Sequence, residues 1–480
     1  MTRWLLPLLL LTACGRAEDE GPIQVSAIGG PPLLADPNRK PLDTPQRVLL
    51  GAVAETLVAY DEEGQIGPAL AQRWIVTSDG LSTIFRLRNA EWPNGKAVTS
   101  EEVARRARAI IAPVSRNTLR DAFDSIEEIN PTTPDVIEFR LSTPRPPLLE
   151  LLAQPEASIL SRAMLASGPY LVRSRHGDTV SLAPRTKPAE GSRDIPLPEI
   201  RLTGERSAKA VARFIGGDSD LVLGGTYLDW PLVQTARPQE RTIRLDPAEG
   251  LFGLSVVESQ GWLGEPEMRQ LLGMVIDRDA LLNAFKAPGW QGVLPILPQR
   301  YRSAADPAYP PWAVYDINGR VAEAQRRVAA WRSNHPEPLQ VRLYLPPGPG
   351  STLLYGRLAA DWRRIGIETT RSSAEAADLR LVDAVAPAGS ALWYLETLAC
   401  PSADACSDEA MDALQRARNA QSLLERGVQL ATADRLLANS GLYVPLARPL
   451  RWSLVSPRLN QFRENPRAWH PLTHLVRSRR

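Results

Sequence analysis

A two-lobed α/β fold with mixed sheets is predicted for this chain from three observations. Its 480 residues exceed the roughly 250 to 300 residues at which a single hydrophobic core stops growing, so two lobes are expected. Residues 66–111 have the pattern of a strand, a turn, a second strand, a loop and a helix. Helical and strand patterns alternate again in the second half of the chain, which predicts an α/β lobe with a mixed sheet.

The composition is that of a large folded protein without a polyanionic partner. Hydrophobic residues make up 44% of the chain, which is enough to fill two cores. Lysine and arginine total 56 against 54 aspartate and glutamate, so the net charge is +2. Because there is no basic excess, we expect neither nucleic-acid binding nor binding to an acidic membrane surface.

The N-terminus, MTRWLLPLLLLTACG, predicts export from the cytoplasm. Its apolar run from Trp4 to Ala13 is about half of the ~20 residues that span a bilayer, so it is a signal segment. Leu11-Thr12-Ala13-Cys14 resembles the bacterial lipobox, which implies removal of residues 1–13 and a lipid on Cys14. Residues 14–21 are then a polar tether. A plain secretory signal with a chance cysteine is the alternative.

The segment 66–111 predicts a β-hairpin followed by a capped helix. Asp79-Gly80 supplies the positive φ of a tight turn. Thr99 and Glu102 have the spacing of a capping box at the start of the helix. The alternating apolar residues of the hairpin are Trp74, Val76, Leu81, Ile84 and Leu87, and those of the helix are Val103, Ala107, Ile110 and Ile111.

The order of residues in this segment resembles a known family. IGPALAQRW is followed by SDG, FRLR and WPNGKAVTSEEV, as in the extracellular solute-binding proteins of peptide-type ABC transporters, the oligopeptide, dipeptide and nickel group called family 5. Glu55-Thr56-Leu57, Ser167-Gly168-Pro169-Tyr170 and the stretch from Arg269 to Arg278 match further family motifs. The resemblance implies a periplasmic-binding-protein-like fold with a hinge.

The second lobe is expected to be an insertion into the first. Chain crossings near 246–252 and 445–450 would form the hinge. They divide the chain into lobe I, residues 22–248 with 447–480, and lobe II, residues 249–446. Within lobe II the predicted elements are helices beginning at Pro266 and Asp277, the helix DINGRVAEAQRRVAAW, the strand LQVRLYLP, the helix TLLYGRLAADWRRIGIETT, the strand ADLRLVD and a helical pair over 408–438.

Cysteine and histidine usage favours a disulfide over a metal site. Export places Cys400 and Cys406 in an oxidising compartment without a ligand pattern around them, which favours a bond between them. A reduced pair is the alternative. His470 and His474 are spaced for metal binding on a helix, but Pro471 lies between them, so surface histidines are expected. No metal or other cofactor is predicted.

The motifs of hydrolases, metalloproteases and nucleotide-binding enzymes are absent from the sequence, so no enzyme is expected. The resemblance implies a monomeric, lipid-anchored component of an ABC importer in the cell envelope. It would capture a peptide or peptide-like small solute between its lobes and deliver it to permease and ATPase subunits. An envelope receptor or holdase of the same fold is the alternative. An extracytoplasmic hydrolase is a third, disfavoured hypothesis.

Aromatic residues near the two crossings are candidates for the walls of the ligand cleft. Core packing is an equal alternative for each of them. They are Tyr227, Trp230, Phe252, Trp290, Trp393 and Tyr394.

The ligand's ammonium group is not expected to be recognised as it usually is in this family. Peptide-binding members present an aspartate from a W-x-x-D-Y-x-D-P segment, and here the corresponding stretch is DLRLVDAVAPAGSALWYLE. Pro387 stands at the motif's proline, and Asp383 is the nearest acid. Either Asp383 meets the ammonium from a shifted position, or the ligand lacks one, as a sugar, a blocked peptide or a metal chelate does. The second is favoured, and a structural Asp383 is its alternative.

Overall fold

Four β-sheets organise the computed structural model, which describes residues 21–61, 64–185, 197–301 and 304–475. Cys14, the signal segment and most of the tether lie outside these residues. The strands are β1 (Ile23–Ile28), β2 (Val58–Tyr60), β3 (Ile66–Pro68), β4 (Ala71–Val76), β5 (Ser82–Leu87), β6 (Ile126–Thr133), β7 (Val136–Leu141), β8 (Tyr170–His176), β9 (Thr179–Pro184), β10 (Ile200–Glu205), β11 (Leu221–Thr226), β12 (Ile243–Asp246), β13 (Gly250–Val256), β14 (Leu339–Tyr344), β15 (Ile367–Arg371), β16 (Leu379–Val385), β17 (Tyr443–Ala447) and β18 (Arg451–Val455).

Several of the helices begin at the capping residues that the sequence indicates. Asp277 accepts a hydrogen bond from the Ala280 amide at the start of one helix, and Asp316 caps another. The helices are α1 (Thr44–Val53), α2 (Ser100–Ile111), α3 (Leu148–Leu152), α4 (Ser207–Gly216), α5 (Trp230–Ala236), α6 (Pro266–Met274), α7 (Arg278–Asn283), α8 (Ile317–Arg332), α9 (Pro349–Arg363), α10 (Ala391–Ala399), α11 (Asp408–Asn419) and α12 (Leu423–Ser440).

The hairpin and helix predicted in segment 66–111 are confirmed, with one correction. Gly80 adopts φ +69° between β4 and β5, and Thr99 and Glu102 form both hydrogen bonds of the capping box. The predicted apolar face of the hairpin is only partly right. Leu87 is buried and Trp74 packs against the same core, but Val76 is half exposed, and Phe85 rather than Ile84 is fully buried. Phe85 and Leu87 share the buried face of β5, because alternate residues of a strand lie on one face, so Ile84 lies on the other.

The chain passes twice between the two largest sheets. The seven-stranded sheet has the order β12-β18-β11-β1-β10-β9-β8, and the five-stranded sheet has the order β15-β14-β16-β13-β17. The chain leaves the first sheet after Asp246 and returns to it at Arg451. Both sheets combine parallel and antiparallel pairs, so the predicted α/β class with mixed sheets is confirmed. We call the part that contains the seven-stranded sheet the first lobe and the part that contains the five-stranded sheet the second lobe.

Two hydrophobic cores are built largely from the first lobe, beside a larger core that its residues share with the second lobe. One core packs α1 against the seven-stranded sheet, around Val25, Leu50 and Tyr170. The other packs α2 and α3 against the four-stranded sheet β4-β5-β7-β6, around Phe85 and Phe139. These two rings meet edge to face, with centroids 5.6 Å apart. Length alone predicts more than one core, but it does not predict this subdivision of the first lobe.

Two buried arginines explain why the stretch from Arg269 to Arg278 begins and ends with this residue. Arg269 donates from Nε to the Ser440 carbonyl and from Nη1 to the Leu263 and Gly264 carbonyls. Arg278 donates to the Pro445, Gly273 and Ile276 carbonyls. Because each guanidinium satisfies buried carbonyl oxygens, the pair ties α6 and α7 to the end of α12 and to β17.

Candidate functional site

A cavity of about 590 Å³ lies where the chain passes between the two sheets. Its volume is within the usual range of small-molecule sites. The first lobe contributes Ile28, Leu42, Asp43, Thr44, Arg47, Val48, Thr118, Leu119, Gln154, Glu156, Leu223, Gly224, Gly225, Thr226, Asp246, Arg451, Trp452, Ser453, Arg467, Ala468, Trp469 and His470. The second lobe contributes Ala384, Val385, Ala386, Pro387 and Trp393.

Strand ends with incomplete pairing form part of the cavity wall. β1 pairs with β11 only up to Leu223, so residues 224–226 extend beyond that partner. β14 pairs with β16 only at Leu379 and Arg380, so residues 381–385 have β13 on one side alone. Backbone groups at such strand ends are suited to hydrogen bonding with the main chain of an extended ligand.

Gly225 is required by the close approach of Trp452. A Cβ atom at position 225 would lie 2.1 Å from the Trp452 ring, which is too close for any side chain. The Trp452 Nε1 donates to the Thr226 carbonyl at 2.9 Å, so the indole lies across β11. Replacement of Gly225 would therefore displace a cavity-lining tryptophan.

The loop 465–470 holds Arg467, Trp469 and His470 in the cavity wall. Asn465 organises it, because its Oδ1 accepts from the Arg467 and Trp469 amides and its Nδ2 donates to the Trp469 carbonyl. Ala468 adopts φ +47°, a left-handed conformation that is uncommon for a residue with a side chain. The loop is tied to the end of β12, since the Asn465 amide donates to Asp246 at 2.9 Å.

The arginines of the wall form ion pairs, and His470 is hydrogen-bonded to Asp246. Arg47 Nε lies 2.6 Å from Glu156 Oε1, and the guanidinium stacks over Trp469 at 5.4 Å. Arg467 Nη2 lies 2.7 Å from Glu150 Oε2. His470 Nε2 lies 3.1 Å from Asp246 Oδ2. The prediction of a surface histidine at position 470 is wrong, because His470 is 8% exposed and stacks on Phe462.

Asp383, the candidate partner of a ligand ammonium group, is paired with Arg451. Arg451 Nη1 lies 2.8 Å from Asp383 Oδ1, and Nη2 donates to the Asp383 carbonyl at 3.4 Å. Burial raises the pKa of Asp383, while the nearby Arg451 guanidinium opposes that rise. Asp383 does not itself line the cavity, whereas Arg451 does.

Of the six aromatic candidates, Trp393 alone belongs to the cavity wall in the described part of the chain. Tyr227 and Phe252 pack together with ring centroids 4.9 Å apart in the core beside the crossings. Trp230 donates to the Phe285 carbonyl and Trp290 to the Arg448 carbonyl, each at 2.8 Å. Tyr394 is fully buried among α10, α11 and α12. For these five the core alternative describes the position better, because each ring lies in a hydrophobic core or packs against one.

Sequence reasoning missed the residues that build most of the polar wall. These are Arg47, Arg451, Arg467 and Trp469. No motif marks them, and they reach the cavity through long-range pairing. The helix start at Asp43 and the predicted return of the chain near 445–450 are the available signals for Arg47 and Arg451.

Cys400 and Cys406 are joined in the structure as a disulfide, with Cα atoms 4.0 Å apart. The bond closes the loop between α10 and α11, and α10 is the helix that carries Trp393. It thereby restrains one helix of the cavity wall from its far end.

Comparisons with known proteins agree on one family and one fold. The family model described as bacterial extracellular solute-binding proteins, family 5 Middle, matches residues 65–391. The nickel-binding periplasmic protein of Escherichia coli strain K12 is 23% identical over 273 residues, which are 52% of each chain. The aligned part therefore spans about half the length of that relative.

Two solved structures have the same fold at low sequence identity. Haemophilus influenzae OppA in complex with RPPGFSPFR has a TM-score of 0.78 at 16% identity, covering 95% of this chain and 99% of that one. The murein tripeptide binding protein MppA of Escherichia coli has a TM-score of 0.79 at 16% identity, covering 94% and 98%. In the described part of the chain, no helix is long and apolar enough to cross a bilayer.

Proposed function

Since the chain belongs to the bacterial extracellular solute-binding proteins of family 5, we propose that it is the lipid-anchored solute-binding component of an ABC importer. It captures a peptide or peptide-like small solute between its lobes and delivers it to permease and ATPase subunits. It acts as a monomer in the cell envelope, with residues 22–248 and 447–480 as one lobe and residues 249–446 as the other. The family is one of binding proteins, not enzymes, so no residue is assigned a catalytic role.

The observation that carries the proposal is the cavity of about 590 Å³, whose walls come from both lobes. A ligand in such a cavity contacts both lobes only when they are closed. It therefore shifts the population of lobe arrangements towards the closed one. A transporter that recognises the closed arrangement would then receive loaded protein only.

Direct bonds across the cavity rim support a defined closed arrangement. Gln154 Nε2 donates to the Pro387 carbonyl at 2.6 Å, and the Gly389 amide donates to Glu150 Oε2 at 2.8 Å. Arg467 Nη1 donates to the Ala386 carbonyl at 3.1 Å. In each bond a group of the first lobe meets residues 386–389 of the second. Further bonds join the lobes away from the rim, such as that from Arg426 Nη1 to the Pro144 carbonyl at 2.8 Å, and the ligand adds its own contacts to them.

The proposal predicts that ligand reduces the radius of gyration. Protein purified without refolding is first analysed by mass spectrometry for released small molecules, which identifies a ligand. Small-angle scattering of the stripped and the reloaded protein should then give a smaller radius for the reloaded sample, because two chain crossings allow the lobes to separate. An unchanged radius of the protein reloaded with an identified ligand would contradict lobe closure, and the absence of any released molecule would contradict the capture of a solute.

A receptor or holdase of the same fold would also close on a ligand, so the importer needs its own test. Deletion of the permease is expected to abolish uptake of the identified solute while leaving its binding to the purified protein unchanged. Uptake that persists without the permease would favour the receptor alternative.

The lipid anchor is tested at Cys14. Cys14→Ser is expected to move the protein from the membrane fraction to the soluble envelope fraction, because no acylated cysteine would then follow the signal segment. Immunoblots of fractionated cells measure this. A double variant with serine at positions 400 and 406 keeps Cys14 and should stay with the membrane. Equal partitioning of Cys14→Ser and wild type would show that the anchor is absent.

A further inference from the structure

Building on the proposed function, we propose that the ligand carries an anionic group, a carboxylate, that binds Arg451 in the cavity wall. Asp383 is then the partner of Arg451 and does not bind a ligand ammonium group. Three observations support this inference, namely the state of the wall carboxylates, the donors left on the wall arginines, and the position of Arg451 at the second crossing.

The carboxylates of the cavity wall are already engaged. Asp43, Glu156 and Asp246 line the cavity, and each has a partner for both of its oxygens. The partners are the Gln46 and Gly30 amides for Asp43, Arg47 for Glu156, and the Asn465 amide and His470 for Asp246. An ammonium group entering the cavity would therefore have to share each of these carboxylates with a donor that is already bound.

The arginines of the wall, in contrast, keep unused donors. A guanidinium has five N–H groups. Arg451 uses Nη1 towards Asp383 and the Leu450 carbonyl and Nη2 towards the Asp383 carbonyl, and its Nε has no partner among the described residues. Arg47 is paired with Glu156 through Nε and Nη2, and its Nη1 has no partner among the described residues. Both side chains line the cavity, so these donors are available to a carboxylate.

The energetic comparison favours an anion. If an ammonium group took Asp383 from Arg451, a guanidinium on a side chain that is only 16% exposed would lose its counter-charge, and leaving such a charge unpaired is strongly unfavourable. A carboxylate that binds the free edge of Arg451 keeps the pair with Asp383 and adds charge-assisted hydrogen bonds. Such bonds typically change affinity by about ten- to a hundred-fold.

Arg451 is also well placed to couple an anion to lobe closure. It is the first residue of β18, directly after the chain returns from the second lobe, and Asp383 lies on β16 of the second lobe. The two residues therefore link the lobes beside the cavity. A ligand bound to Arg451 contacts the group that already joins both sheets.

Opposite effects of two substitutions test the inference. Calorimetry is performed with N-acetyl-trialanine, which has a carboxylate and no ammonium, with trialanine amide, which has the reverse, and with citrate. We expect N-acetyl-trialanine or citrate to bind and trialanine amide not to bind. Arg451→Gln should weaken the anionic probe by about ten- to a hundred-fold. Asp383→Asn should raise that affinity, because it removes the carboxylate that competes with the ligand for Arg451.

Arg342 and Asp378 provide a matched control. They form a similar pair, with Nε 3.0 Å from Oδ1, beside the opposite end of β16 and away from the cavity. Arg342→Gln and Asp378→Asn should change neither probe's affinity. Circular dichroism of all four variants separates loss of binding from loss of folding.

The remaining outcomes are also decisive. Tight binding of trialanine amide that Asp383→Asn abolishes would overturn the inference while leaving the proposed function intact. If no probe binds, the molecule released from natively purified protein decides. A molecule with a carboxylate whose binding Arg451→Gln weakens supports the inference, and a molecule without an anionic group overturns it. If no probe binds and no molecule is released, the proposed function itself fails.

Discussion

Arg278→Met is expected to lower the free energy of unfolding by about 3 kcal/mol. The guanidinium is 7% exposed and donates to three buried carbonyl oxygens at 2.9, 3.1 and 3.4 Å. Methionine fills similar space but leaves these oxygens without a donor. Chemical denaturation monitored by tryptophan fluorescence measures the change.

The cost of burying the charge opposes this effect. Burial lowers the pKa of Arg278 to about 9, which reflects incomplete compensation of the guanidinium. The Trp312 ring lies 5.7 Å from the guanidinium and adds a cation–π contact. We expect this contact and the three hydrogen bonds together to outweigh the cost of burying the charge. Arg326→Met, on the exposed face of α8, is the control and should change stability by less than about 0.5 kcal/mol. Equal stability of Arg278→Met and wild type would show that the burial cost dominates.

Asp434→Asn is expected to stabilise the protein at neutral pH and not at pH 4. Asp434 is 2% exposed on α12, and its Oδ2 accepts from the Ala308 amide at 2.7 Å. Burial raises its pKa from 3.8 to about 6, against the opposing effect of that hydrogen bond. Between pH 4 and 6 the folded state therefore keeps a proton that the unfolded state releases. Wild-type stability falls as the pH rises through this window, by up to about 3 kcal/mol.

The measurement is the free energy of unfolding at intervals from pH 4 to pH 7.5. The advantage of Asp434→Asn over wild type should grow between about pH 4 and 6 and then stay constant. Asp412→Asn, on the exposed face of the neighbouring α11, should show no such growth. A constant difference between Asp434→Asn and wild type at every pH would mean that Asp434 titrates as an ordinary aspartate.

Much of the fold follows from signals that lie close together in the sequence. The capping box of Thr99 and Glu102 and the turn at Gly80 depend on residues that are at most a few positions apart. The structure confirms both. The buried face of β5 was predicted wrongly at Ile84, because Phe85 and Leu87 share that face and Ile84 lies on the other. Apolar residues stand on both faces of this strand, so the alternation of residue types alone does not identify the buried face.

The cavity wall was less predictable than the fold. Trp393 was among the candidates and does line the cavity, but Tyr227 and Phe252 pack against each other in the core. Nearness to a chain crossing does not distinguish an aromatic residue that lines the cavity from one that packs in the core. A crossing brings residues of both lobes together, and the same apolar rings can face a cavity or fill the space between two sheets.

The sequence by itself determined the family, the α/β class and the positions of the capped helices. Each of these depends on ordered motifs or on periodicity over short segments. Only the tertiary structure decided that Asp383 belongs to Arg451, 68 residues away, and that Gln154 reaches Pro387, 233 residues away. Such pairs form because folding excludes water and forces each buried charge or amide to find a partner. The choice of partner depends on the packing of whole sheets, which no local pattern records.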